Sequence, residues 1–340
     1  MTEPTTGRVA AGRTGAAIFG LEGVDLTPAE RDFFRDADPL GFILFARNVQ
    51  DPAQLTRLTG KLRDAVGRDA MILVDQEGGR VQRLRAPHWT EWMPPLDQAP
   101  LGARAMRLRY RLIGAELREV GIDADCAPTL DIAQPETHPF LRNRCLGEDV
   151  ETVIELGRAA ADGLLEAGVL PVIKHMPGHG RAVADSHHDL PAVPDGLAEL
   201  EARDFAPFRA LADLPMAMTG HILFTALDTR PATISPTLIG IIREAIGFDG
   251  LLMTDDISMK ALSGTEAERS AAAIAAGCDV VLSCHGVMTD MTAVAAASGT
   301  LTEAAARRAN RALALRGAAV PDGAEIARIR AEFAGLVGAA

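Results

Sequence analysis

Eight short apolar runs, each followed by a loop and a helix-like segment, divide most of the 340-residue chain into repeating units. Runs such as MILVD at 71–75 are continuously apolar rather than alternating, which is typical of parallel strands buried on both faces. Repeated strand–helix units predict a parallel sheet with crossover helices. The candidate strands are Ala16–Leu21, Gly41–Phe45, Ala70–Asp75, Asp123–Pro128, Leu170–His175, Met216–His221, Leu251–Asp255 and Asp279–Ser283.

The segments between these runs carry helix-start signals. Thr27-Pro28-Ala29-Glu30 combines a capping box with a proline at the first helical position, and Asp51-Pro52 repeats that chemistry. Ser235-Pro236 is expected to open a further helix. Helical patterns over Thr302–Leu315 and Ala324–Leu336 predict two closing helices.

Two α/β architectures suit this alternation: a closed barrel and an open doubly wound sheet. The open sheet usually carries a glycine-rich dinucleotide fingerprint or a GxxxxGK[ST] phosphate loop, and neither motif occurs here. We therefore predict a single (β/α)8 TIM-type barrel. Because no break in composition marks a linker, one catalytic domain is expected over 14–340, including the C-terminal helices, after a flexible N-terminus over 1–13.

Composition limits the possible partners and the compartment. The chain has a net charge of −12 and no long basic stretch, so nucleic acid and anionic membrane surfaces are poor candidates. No run approaches the roughly 18 apolar residues that a membrane span needs, and the polar N-terminus lacks a secretory apolar segment. These features predict a cytoplasmic protein without a membrane partner, and no cofactor motif is found.

Ionisable residues follow six of the predicted strands. In a barrel of this kind, chemistry is found at the C-terminal ends of the strands, so these side chains should form a ring around one pocket. The residues in these positions are Asp75, Asp131, Lys174, His175, His221, Asp255, Asp256 and His285.

Three motifs sharpen this prediction. In DQEGGRVQR, which begins at Asp75, two glycines permit a tight turn from which Arg83 can reach back to the pocket. The polar loop of KHMPGHGRAVADSHHDLP holds Asp185 two residues before His187, where a carboxylate can orient an imidazole and raise its pKa. In LLMTDDISM, adjacent strand residues point to opposite sides, so one of the two aspartates is expected to face the pocket.

These motifs resemble those of family 3 glycoside hydrolases over about Gly15 to Gly286, and most closely the bacterial β-N-acetylglucosaminidases of peptidoglycan recycling. The resemblance implies a retaining reaction with Asp255 as nucleophile and His187 as acid/base, assisted by Asp185. It also implies a small substrate, a GlcNAc–anhydroMurNAc fragment from which terminal GlcNAc is released, and a monomer or weak homodimer without cofactor or metal. The positions that match the family's sugar-binding residues are Asp75, Arg83, Arg144, Lys174 and His175.

Other readings of the same residues stay open. Within the family, a β-glucosidase or an N-acetylglucosamine phosphorylase is possible. A metal-dependent amidohydrolase barrel would use His175, His221, His285 and Asp255 as ligands, although the first strand lacks the H-x-H pair of those enzymes. A barrel that only binds its ligand is the remaining alternative.

Overall fold

Eight parallel strands form a closed barrel in the computed structural model, which describes residues 8–183, 189–317 and 322–338. Each strand pairs with its neighbours in sequence, and the last strand pairs with the first through Ala17 and Val281. All eight predicted runs coincide with barrel strands, so the predicted fold is confirmed. The strands are β1 Gly15–Phe19, β2 Pro39–Leu44, β3 Met71–Val74, β4 Ala124–Asp125, β5 Leu170–Met176, β6 Met216–Thr219, β7 Leu251–Asp256 and β8 Val280–Ser283.

Helices follow every strand and surround the barrel. The predicted helix starts are confirmed: Thr27 and Glu30 form the capping box, and Asp51 accepts the N–H of Gln54 at 2.8 Å. No helix in the described ranges is long and apolar enough to cross a membrane. The α-helices are Pro28–Ala37, Pro52–Val66, Pro95–Gln98, Gly102–Glu119, Pro139–Arg142, Val150–Glu166, Leu197–Ala202, Ala206–Ala210, Pro236–Gly240, Glu266–Ala276, Met288–Ser298, Glu303–Leu313 and Gly323–Gly338.

Shorter elements occupy the loops between strands and helices. An antiparallel pair, Gln76–Gly78 with Val81–Gln82, follows β3, and a parallel pair joins Ala192–Val193 to Leu223–Phe224. The remaining short elements are the 3-10 turns Ala46–Asn48, Ala99–Leu101 and Ala232–Ile234 and the π-helical turn Ile241–Ala245.

The apolar core has two layers, separated by the barrel wall. Alternate strand residues such as Ile18 and Leu73 fill the barrel interior, while their neighbours pack outward against the surrounding helices. The helix Glu303–Leu313 also contacts the interior layer, through small residues that include Ala305 and Ala309. This helix therefore closes the N-terminal end of the barrel, and the C-terminal end is left for a pocket.

The N-terminal segment is anchored at the closed end of the barrel. Val9 is buried, and its N–H donates to Asn310 Oδ1 at 3.0 Å while its carbonyl accepts from Asn310 Nδ2 at 2.9 Å. Gly12 also donates its N–H to the carbonyl of Leu301 at 3.1 Å. The described part of the predicted flexible terminus, residues 8–13, is thus held by the closing helix and by Leu301 just before it.

One strand is shorter than its sequence pattern predicts. The run Asp123–Pro128 contributes only Ala124–Asp125 to β4. The Asp123 side chain accepts the N–H of Ile72 at 2.7 Å, and Pro128 has no N–H to donate to a neighbouring strand. Beyond β4 the pairing is irregular and includes an isolated parallel bridge between Thr129 and Lys174, in which the Lys174 N–H donates to the carbonyl of Pro128.

Candidate active site

A pocket opens at the C-terminal ends of the strands. Asp255 and the five residues expected to bind a sugar all line it, so the structure brings these six predicted positions together. Aromatic and basic residues from the loops complete its wall, among them Phe45, Arg47, Arg80 and Phe140. The pocket therefore lies where chemistry is expected in a (β/α)8 barrel.

Lys174 is the centre of a buried charge network. Its ammonium lies 2.9 Å from Asp75 Oδ1 and 2.6 Å from Glu77 Oε1, and its side chain is 1% exposed. Arg83 donates to the other oxygen of Asp75 at 2.8 Å. Although burial alone would raise the pKa of the Asp75 carboxyl, the charges of Lys174 and Arg83 outweigh it and lower that pKa. Asp75 is therefore an anion that holds two cations toward the pocket.

Glu77 is the functional-site residue that sequence reasoning missed. Its carboxylate accepts two hydrogen bonds from Arg144, from Nε at 2.9 Å and from Nη2 at 2.8 Å, in addition to the contact with Lys174. Burial opposes ionisation, but Arg144 and Lys174 lower the pKa of Glu77 to about 2. The residue lies in the quoted DQEGG motif, but its burial depends on partners that are distant in sequence.

His175 is oriented by Asp131, another strand-end residue. The Nδ1–H of His175 donates to Asp131 Oδ2 at 2.6 Å, so Nε2 is left to accept from Arg144 Nη2 at 3.3 Å. Burial would raise the pKa of Asp131, yet the adjacent His175 and His179 lower it. The imidazole that faces the pocket is thereby fixed in one orientation by an ionised carboxylate.

His179 lies beside His175 and also lines the pocket. Its main-chain N–H donates to Asp131 Oδ1 at 2.6 Å, so its backbone helps to hold Asp131 in place. Its ring is buried, and neither ring nitrogen has a hydrogen-bond partner among the residues that the structure describes. Burial lowers the pKa of His179 to about 4, so the ring is neutral at physiological pH.

The two adjacent aspartates at the end of β7 differ in their surroundings. Asp256 is occupied by Ser258, whose hydroxyl donates at 2.6 Å, and by the N–H of Cys284 at 3.2 Å. Asp255 accepts only the N–H of Asp256 at 2.8 Å among the described residues. Burial would raise the pKa of Asp255, but His175, His221 and Lys174 lower it. Asp255 is thus an ionised carboxylate with oxygen lone pairs directed into the pocket.

The predicted acid/base pair, Asp185 and His187, lies outside the described residues. The segment before this pair is anchored to the barrel: Arg181 donates to Asp204 at 2.7 Å and to Asp195 at 2.8 Å, and the carbonyl of Ala182 accepts the N–H of His138. After it, the carbonyl of Pro191 accepts the N–H of Leu223 at 2.9 Å. Both described ends of the loop therefore start from fixed positions.

The four residues of the metal-dependent reading are not arranged as a ligand set. The ring of His221 lies between the hydroxyl of Thr233 at 2.8 Å and the carbonyl of Asp256 at 2.9 Å, so both its nitrogens are engaged. Within 8–183, 189–317 and 322–338, no group of three histidine, cysteine, aspartate or glutamate side chains converges as metal ligands would.

Comparisons with known proteins identify the family. The glycosyl hydrolase family 3 N-terminal domain matches residues 24–314. A β-hexosaminidase of Bordetella parapertussis is 38% identical over 286 residues, which cover 80% of each chain. A β-hexosaminidase of Methylococcus capsulatus is 38% identical over 278 residues, covering 79% of this chain and 82% of the relative.

Solved structures agree with this match. Native NagZ from Neisseria gonorrhoeae superposes with a TM-score of 0.84 at 29% identity and covers 99% of both chains. The same protein has been solved in complex with N-trifluoroacetyl-D-glucosamine, again with a TM-score of 0.84. A family 3 β-N-acetylglucosaminidase from Paenibacillus has a TM-score of 0.83 at 30% identity, covering 94% of this chain and 67% of that one.

The barrel and its polar pocket define a (β/α)8 enzyme that hydrolyses glycosidic bonds. The chain belongs to glycosyl hydrolase family 3.

Proposed function

We propose that this enzyme is a retaining exo-β-N-acetylglucosaminidase that releases terminal GlcNAc from peptidoglycan-derived fragments of the GlcNAc–anhydroMurNAc type. The β-hexosaminidase names of its relatives and the N-acetylated ligand of its structural neighbour support the sugar. The fragment class, and with it a cytoplasmic role in cell-wall recycling by a monomer or weak homodimer, rests on the motif resemblance.

The proposal rests on Asp255 as the nucleophile. Retention needs a carboxylate that attacks the anomeric carbon and forms a covalent glycosyl-enzyme. Asp255 is ionised, lines the pocket and accepts one hydrogen bond from the described part of the chain, whereas its neighbour Asp256 is occupied by Ser258 and Cys284. Nearby His175, His221 and Lys174 lower its pKa, and no described side chain forms an ion pair with it that would block attack.

The buried network around Lys174 would bind the sugar that is cleaved off. Asp75 can accept from sugar hydroxyls, while Arg83, Arg144 and Lys174 can donate to them in charge-assisted hydrogen bonds. His175, held by Asp131, offers one further contact of fixed direction. Because these groups already hold one another in place, substrate binding requires little reorganisation.

His187 would act as the acid and then as the base, with Asp185 orienting its ring. An imidazole of near-neutral pKa can protonate the leaving oxygen and later deprotonate the attacking water. The position of the loop supports this assignment, since it follows the C-terminal end of β5 and its described ends are held at Arg181 and Pro191.

The test compares wild type with Asp255→Asn on 4-nitrophenyl β-N-acetylglucosaminide. The variant is expected to fold with a normal circular dichroism spectrum and to lose kcat by several orders of magnitude, as removal of a covalent nucleophile does. Asp256→Asn serves as the neighbouring control and should lose far less. Normal turnover by Asp255→Asn would end the assignment.

Phosphate distinguishes hydrolysis from phosphorolysis. The proposal predicts free GlcNAc as the main product with and without added inorganic phosphate, analysed by chromatography. Sugar 1-phosphate as the main product would show that the enzyme is a phosphorylase rather than a hydrolase.

A further inference from the structure

The lining of the pocket is more basic than the rest of the protein. Five arginine and lysine residues line it against three aspartates, in a chain whose net charge is −12. Three of the five cations, Arg83, Arg144 and Lys174, are paired with buried carboxylates. Arg47 belongs to the same lining, lies at the mouth and takes no part in this network.

Arg47 is held firmly, but by carbonyl groups rather than by a carboxylate. Its Nε donates to the carbonyl of Leu21 at 3.0 Å and its Nη2 donates to the carbonyl of Cys284. Within the described part of the chain, it forms no ion pair, and its Nη1 has no acceptor. A guanidinium fixed in this way keeps its full charge and a free donor edge.

Close packing explains why Arg47 stays at this position. Gly20 follows β1, and a Cβ there would lie 2.1 Å from the carbonyl oxygen of Cys284 and 3.1 Å from Arg47 Nη2. The guanidinium also lies over the Phe45 ring, with Arg47 Cζ 4.8 Å from the ring centroid. Glycine at position 20 is thus needed for the contact between Arg47 and the end of β8.

The same Phe45 ring also contacts Arg83, whose Cζ is 5.3 Å from the ring centroid. Phe45 therefore links the rim arginine to Asp75, which Arg83 binds at 2.8 Å. The buried network lies at the bottom of the pocket, since Lys174 is 1% exposed, whereas Arg47 is exposed at the mouth. In an exo-acting glycosidase, the leaving group projects from the buried sugar toward this mouth.

We propose that Arg47 is a specificity residue that binds a carboxylate on the leaving group of the substrate. This inference rests on the proposed function, which supplies the position of the cleaved sugar. A carboxylate matches the planar donor edge of a guanidinium, and such charge-assisted hydrogen bonds are among the stronger polar contacts in proteins. An anionic leaving group would also be attracted to a pocket lining that carries five cations, on a molecule whose net charge is −12.

The test uses two β-N-acetylglucosaminides of similar size, with 3-carboxyphenyl and 3-carbamoylphenyl leaving groups. The measured quantity is the ratio of kcat/KM for the carboxylate over the amide, compared between enzyme variants so that differences in leaving-group reactivity cancel. Arg47→Gln is expected to lower this ratio by about tenfold or more relative to wild type, which is the loss of one charge-assisted contact. The wild-type ratio should also fall as NaCl is added.

Two further variants keep the result interpretable. Arg47→Lys retains the charge and should keep part of the preference, while Arg31→Gln, on the helix Pro28–Ala37 away from the pocket lining, should leave the ratio unchanged. The inference would be overturned if Arg47→Gln had the same ratio as wild type. It would also be overturned if Arg47→Gln and Arg47→Lys each lost kcat/KM equally on both substrates. Failure of wild type to hydrolyse either glycoside would instead contradict the proposed function.

Discussion

Replacing Glu77 by glutamine should weaken both the fold and the activity, because this carboxylate joins two cations of the pocket. Glutamine keeps the size of the side chain but leaves Arg144 without its carboxylate partner, while Lys174 keeps only Asp75. The pKa of Glu77 falls from 4.5 to about 2 on folding, and at about 1.4 kcal/mol per pKa unit this corresponds to roughly 3 kcal/mol. Breaking a buried ion pair by removing one partner costs about the same, 3–5 kcal/mol.

The pH dependence follows from the sign of that shift. A carboxyl group whose pKa is lowered by folding stabilises the protein above its unfolded pKa, and this contribution is lost as pH falls through the folded pKa. Glu77 should therefore contribute fully above about pH 4.5 and lose its contribution toward pH 2. The stability difference between wild type and Glu77→Gln should shrink over that interval.

The assay measures thermal unfolding and kcat/KM at pH 7. We expect Tm to fall by roughly 5 °C for a chain of this size. We expect kcat/KM to fall by about a hundredfold, since misplacement of sugar-binding groups by about 1 Å has effects of that order. Glu155→Gln, an exposed change on the helix Val150–Glu166, is the matched control. If Glu77→Gln matches this control in both Tm and kcat/KM, the network does not organise the site.

Two further predictions concern buried titrating groups. His179→Asn should make the stability of the protein less sensitive to acid. Burial lowers the pKa of His179 from 6.5 to about 4, so the neutral ring contributes to stability above pH 6.5 and this contribution is lost toward pH 4. Over that range the urea midpoint of wild type should fall more steeply than that of the variant, and equal slopes would refute this. Asp125→Asn should stabilise the protein increasingly from pH 4 to pH 8, because burial raises the pKa of this carboxyl from 3.8 to about 8. The asparagine oxygen can still accept the N–H of Gln76. Asp32→Asn is the exposed control, and a Tm of Asp125→Asn below that of wild type at pH 8 would contradict the reasoning.

The fold could be predicted from the sequence because the patterns that indicate its strands and helix starts are local. Continuously apolar runs such as Met71–Val74 define the strands, and capping residues such as Thr27 define where helices begin. The apolar pattern predicts too long a strand for β4, because the Asp123 side chain and Pro128 interrupt regular pairing without changing that pattern. Its two-residue length depends on hydrogen bonds that an apolar pattern does not record.

Part of the candidate active site could be predicted from the sequence. Strand-end position identified Asp75, Lys174, His175 and Asp255, since a barrel brings those ends together. Position alone did not assign Glu77, which follows β3 in a small antiparallel pair and is bound by Arg144, 67 residues away in sequence. The same reasoning named Asp131 as a strand-end residue, but its role in orienting His175 depends on a contact across 44 residues.

The central claim, a covalent intermediate on Asp255, is tested most directly by trapping. Incubation with a 5-fluoro N-acetylglucosaminyl donor, followed by proteolysis and mass spectrometry, should place one sugar on the peptide that contains Leu251–Asp256, with fragmentation locating it on Asp255. Loss of label in Asp255→Asn should accompany loss of turnover. A sugar attached to Asp256 or to any other residue would contradict the account.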